Sequence, residues 1–160
     1  MRITTAHAYV GASFFALLLC ACGGGENESP QQSALDSALS TWAGIDSTHY
    51  QYVSQRACEC LPEFTEPIIV EVVDGAVESA VFERDLQPVS PELMGTLKTV
   101  DELFAVIQAA IDEGAYSIDV TYESETGVPR SIVIDYDQNA ADEELYLDIR
   151  DFEVIASVGI

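Results

Sequence analysis

Residues 33–43 place Leu35, Leu39 and Trp42 at i, i+4 and i+7, an apolar stripe that predicts a short helix closed by Gly44. The period then shortens. Residues 50–60 alternate as a strand does, with Tyr50 and Tyr52 on one face and Gln51 and Val53 on the other. Residues 68–73 and 76–82 are rich in β-branched side chains and are joined by Asp74-Gly75, a pair that favours a type I′ hairpin because both positions need positive φ. Residues 86–97 contain Pro88, Pro91 and Gly95 and read as a crossover loop. A second helix follows, with Thr99 as cap, Glu102 completing a capping box and Asp101 adding a favourable charge at the same end. Leu103, Phe104, Ile107, Ala110 and Ile111 form its apolar face, and Gly114 ends it. Residues 116–123, 130–137 and 145–154 again read as strands, the last with a kink before Phe152.

Helix and then antiparallel strands, twice over, predict an α+β architecture. The expected form is a curved antiparallel sheet with two helices on one face, built from two α-β-β-β units. The length from residue 33 to residue 160 suits one domain with a real core.

Charge narrows the function classes. The chain carries 28 acidic against six basic residues, a net charge of −22. Such a surface repels phosphate backbones, so no nucleic-acid partner is expected. The acids are spread rather than blocked, which favours plain solubility over a dedicated site for cations or basic partners.

The amino-terminal pattern differs from everything after it. Arg2 precedes an apolar run over residues 10–21, the layout of a secretory signal, and the run is too short to span a bilayer. Leu19-Cys20-Ala21-Cys22, followed by glycines at 23–25, resembles the bacterial lipoprotein signal. That resemblance implies cleavage before Cys22, with thioether lipidation and amine acylation there, palmitate included. Cys20 fits less well because Leu19 would occupy the small-residue position. Gly23 rather than an aspartate implies the outer membrane as destination if the host has one. Residues 1–21 are then the signal, 22–32 a lipidated flexible leash, and 33–160 the globular domain. The cleaved protein would keep five basic and 28 acidic residues, a net of −23. The membrane is reached through lipid, and the folded part needs no membrane-binding surface.

Cys58 and Cys60 are the cysteines left after such processing, and an isolated pair in an oxidising compartment tends to be joined. On one face of a fully extended strand their Cα atoms would stand roughly 6.6 to 7 Å apart, so a disulfide needs a bend, which Pro62 helps to supply. Free thiols and soft-metal ligation are the alternatives. A redox catalyst is disfavoured because no histidine or lysine is close in sequence to lower a thiol pKa, although Arg56 is two residues away.

Asp135, Asp137, Asn139 and Asp142 place oxygens at spacings similar to the start of a calcium loop. Ala140 stands where the sharp turn needs glycine and Tyr146 where the bidentate acid belongs, so an EF-hand is rejected. An irregular calcium site remains one reading of this turn, and a solvated acidic tip the other. His49 is the only conventional base after the signal and reads as a strand-edge residue, so no catalytic set emerges and no cofactor beyond calcium is expected.

Tyr50-x-Tyr52, Cys58-x-Cys60, Asp74-Gly75-x-Val77, Thr99-Val100-Asp101-x-Leu103-Phe104 and Gly127-x-Pro129-x-x-Ile132, with Asp135 and Asp142 to follow, resemble bacterial proteins grouped as domain of unknown function 6174. The likeness covers residues 42–152. It implies a secreted or lipid-anchored single domain and brings no catalytic residues. At fold level the pattern is similar to PepSY-like and β-lactamase-inhibitor-like modules, which implies binding of another envelope protein. The sequence therefore predicts a lipid-anchored, non-enzymatic protein- or peptide-binding module of the cell envelope. A calcium-responsive acidic module and a thiol–disulfide participant are the alternatives.

Overall fold

The computed structural model describes residues 29–45, 48–140 and 143–156. Helix α1 (Pro30–Trp42) begins three residues ahead of the predicted stripe, because the Ser29 hydroxyl accepts from the Gln32 amide and Pro30 takes the first helical turn. Pro30, Gln31 and Gln32 thus belong to the helix rather than to the leash.

Strand β1 (His49–Ala57) stops before the cysteines. Strands β2 (Ile68–Val73) and β3 (Ala76–Phe82) form the expected hairpin, with φ of 50° at Asp74 and 77° at Gly75. A one-turn helix, α2 (Pro91–Met94), capped by Ser90, lies within the segment predicted as loop. It buries Leu93. In α3 (Val100–Glu113) both halves of the capping box form: Thr99 Oγ accepts from the Glu102 amide at 3.2 Å and Glu102 Oε2 accepts from the Thr99 amide at 2.7 Å. Strands β4 (Ser117–Tyr122), β5 (Pro129–Asp135) and β6 (Glu144–Val154) complete the order.

The six strands make one antiparallel sheet in the order β3-β2-β1-β6-β5-β4. The first strand and the last are therefore central neighbours. Their register shifts where Asp151 adopts φ 54°, the kink expected before Phe152. The extra residue returns Phe152 to the face of the sheet that meets α1, where its ring lies 5.7 Å from Trp42 and 5.4 Å from Tyr50.

Helices α1 and α3 pack together on one face of the sheet and reach β4 and β5. Leu35, Ile107, Val70, Val72, Ile132 and Ile134, all fully buried, form the centre of the core between the layers. Paired amides of Gln32 and Gln108, 2.9 Å apart in both directions, join the helices. The β4–β5 turn closes against α1 through Gly127, where a Cβ would stand 2.2 Å from the Ala38 carbonyl oxygen.

Candidate functional site

The two tyrosines of β1 tie the sheet to the start of α3. Tyr50 and Tyr52 lie on the face toward the helices, as alternation requires. The Tyr50 hydroxyl accepts from the buried Val100 amide at 3.0 Å, and the Tyr52 hydroxyl donates to the Lys98 carbonyl. Burial pushes the Tyr50 phenol up to about 12, against the lowering effect of the Val100 amide, and raises that of Tyr52 further. Trp42 donates from Nε1 to Asp101 at 2.9 Å, closing the same junction from α1. These aromatics position structure rather than chemistry.

Cys58 and Cys60 stand at disulfide distance, with Cα atoms 5.3 Å apart. The required bend comes from the end of β1 at Ala57 and from the chain reversal that leads into a single 3-10 turn at Pro62–Phe64. Both cysteines are exposed, as is Leu61. Arg56 is the basic residue next to them in sequence.

Of the acidic turn, the structure brings Asp137 and Asn139 together. Asp137 Oδ1 accepts from the Asn139 backbone amide at 2.9 Å and from its side-chain amide at 3.1 Å, which holds the Asp137 carboxyl below its usual range. Asp135 stands at the end of β5 with one buried carboxylate oxygen that has no partner among the described residues. Asp142 and Cys22 lie outside the described residues. Among the described residues no group of three or more histidine, cysteine or acidic side chains is placed to hold a metal ion.

The face of the sheet away from α1 and α3 carries two different surfaces. Cross-strand register sets Val81, Ile69, Val53 and Arg150 in one row over β3, β2, β1 and β6. Arg150 reaches Glu83 beyond β3 at 2.5 Å, and this path runs along the row of Ile69 and Val53, so that Val53 is only 6% exposed although no helix packs over it among the described residues. Beside this row, Glu71 accepts from Ser79 at 2.7 Å and lies 3.1 Å from His49 Nε2, contacts that hold its carboxyl below the usual range. Ala57, Tyr146 and Val133 make a second apolar row, with Tyr146 42% exposed.

On the opposite face, an open cleft lies where α3 leaves β1 and β6 uncovered. It encloses about 630 Å³ of non-protein space, part of it open to solvent. Leu145 and Leu147 of β6 and Ser54 and Arg56 of β1 line it, with Phe64 from the 3-10 turn and Leu93, Leu97 and Lys98 from the segment around α2. Arg84, Arg130 and Arg150 are each paired with carboxylates. Arg56 and Lys98, both lining this cleft, make no ion pair among the described residues. Sequence reading noted Arg56 only as a neighbour of the cysteines and passed over Lys98, and the signal available was their rarity: they are two of the five basic residues after the amino-terminal segment.

The model of a family of unknown function, DUF6174, matches residues 34–154. The chain belongs to that family. The match begins inside α1 and ends with the last residue of β6, so the DUF6174 unit takes in the whole sheet, both tyrosines and the cysteine pair. No curated protein and no solved structure matches the chain. Among the described residues no helix is long and apolar enough to cross a membrane.

Proposed function

We propose that this DUF6174 protein is a lipid-anchored, non-enzymatic module of the cell envelope that offers the uncovered face of its sheet to a protein or peptide. One observation carries the reading: the face over which no helix packs among the described residues holds two apolar rows, Val81–Ile69–Val53 under Arg150 and Ala57–Tyr146–Val133 with Tyr146 42% exposed. A sheet face meant only for water alternates to polar side chains at these positions. The carboxylates flanking the row, Glu71, Asp148 and Glu153, favour a partner segment that is basic as well as apolar. The meander order of the strand triplets supports two α-β-β-β units, similar at fold level to PepSY-like and β-lactamase-inhibitor-like modules. Cys22 is the anchor, and residues that follow it are the leash.

A photo-crosslinking residue at Gln55 or Thr121, on the outer face, is expected to capture a protein neighbour in intact cells. The same residue at Glu113, at the end of α3, is expected to capture none. Equal capture from all positions, or none from the outer face, would end the binding-face reading. Mass spectrometry of native material is expected to find Cys22 acylated; an unmodified amino terminus in the soluble fraction would end the anchor.

The exposed cysteine pair supports a second reading, as a thiol–disulfide participant. Replacing both Cys58 and Cys60 by serine is then expected to abolish mixed-disulfide capture of envelope thiol proteins. Unchanged capture removes that reading.

A further inference from the structure

We infer that the cleft between β1, β6 and the segment around α2 binds a small amphipathic carboxylate, with its apolar body over Leu145 and Leu147 and its charge between Arg56 and Lys98. The cleft has two features of a ligand site: a largely apolar lining and a few polar groups to fix orientation. Leu97, Val106, Leu145, Leu147 and Phe64 are each left half-buried here, so the core-facing side of the sheet is incompletely covered at this end. A ligand tail would remove that surface from water at roughly 25 cal/mol per Å².

Charge selects the head group. The protein is strongly anionic, yet the two basic side chains without an acidic partner among the described residues meet at this cleft. Glu66 is the carboxylate that also lines it, and its Oε1 is held by Arg84. Arg56 stands opposite Leu147 in the β1–β6 register, on the same face as Tyr52, so its base is fixed by a central strand. Lys98 is fixed at the backbone by the Tyr52 hydroxyl. Both cations are thus carried by rigid positions, which limits the ordering lost on binding. The site is on the opposite face from the proposed protein-binding surface and does not depend on it.

The test uses isotope-labelled full-length protein titrated with octanoate, and with octanol as the uncharged comparison. Octanoate is expected to shift the methyl signals of Leu93, Leu97, Leu145 and Leu147 saturably while those of Val133, on the outer face, stay in place. Octanol, and the R56Q/K98Q double variant with octanoate, are each expected to bind at least about tenfold more weakly. L147W, which fills the cleft from its floor, is expected to abolish the shifts. No saturable shift up to about 10 mM octanoate would overturn the inference. So would unchanged affinity in R56Q/K98Q, or full binding by L147W, since the ligand would then sit elsewhere or ignore the charges. Octanol binding as tightly as octanoate would reduce the site to an apolar surface and overturn it equally.

Discussion

At the residue scale, the tightest constraint is a missing side chain. Gly127 has φ 76° and lies against the α1 backbone, with the Ala38 oxygen 2.2 Å and the Trp42 nitrogen 3.0 Å from where a Cβ would be. Gly127→Ala therefore meets both a left-handed backbone and a rigid wall, and is expected to destabilise by about 3 kcal/mol or more, read from urea denaturation. Tyr50 gives a constraint of the opposite kind, because its hydroxyl is the acceptor for a buried amide. Tyr50→Phe is expected to lower stability by about 1–3 kcal/mol at neutral pH. Its pH dependence has a definite sign. The folded phenol titrates at about 12 against 10.0 when unfolded, so above pH 10 the unfolded chain loses its proton first. The contribution is complete below pH 10 and is lost as pH rises toward 12; Tyr52 and Tyr122, also raised, act in the same direction. Denaturation midpoints at pH 8 and pH 11 are expected to fall less steeply in Tyr50→Phe than in the parent.

At the scale of elements, much was legible because local chemistry and tertiary packing agree. The Thr99–Glu102 box, the Asp74-Gly75 turn and the Gly114 stop are each set by backbone needs that a few side chains meet, and each formed as expected. The cap has a measurable weight: Thr99→Ala is expected to cost about 1 kcal/mol, and Glu102→Ala less, with the pair together short of the sum because the two bonds share one turn. What was not legible lies in a cap that was read as linker and in partners far away in sequence. The early start of α1 follows from Ser29 and Pro30, which look like linker until a helix is there to cap. The α2 turn depends on burial of Leu93. Arg56 and Lys98 are separated by a hairpin and a helix turn, so their shared cleft exists only in three dimensions. In the acidic turn the contact is local again: Asp137 accepts from Asn139, two residues on.

At the scale of the whole molecule, charge and topology dominate. A net charge of −22 with four arginines and Lys98 after the amino-terminal segment leaves most carboxylates facing one another through solvent. Raising salt from about 0.01 M to about 0.15 M shortens the Debye length from roughly 30 Å to about 8 Å, and is expected to raise the denaturation midpoint by screening self-repulsion. A midpoint that falls over the same range would mean that the ion pairs of Arg84, Arg130 and Arg150 outweigh the repulsion. The strand order has a separate effect. Because β1 lies beside β6, the middle of the sheet joins Tyr50 to Val154 and cannot close until both strands and everything between them exist. A chain emerging from the ribosome can form the β2–β3 hairpin and α3 early, but its sheet stays open at the centre until β6 has been made. The topology itself thereby makes the meeting of β1 with β6 the late step, and until it happens each half of the sheet keeps a bare edge open to pairing with another chain.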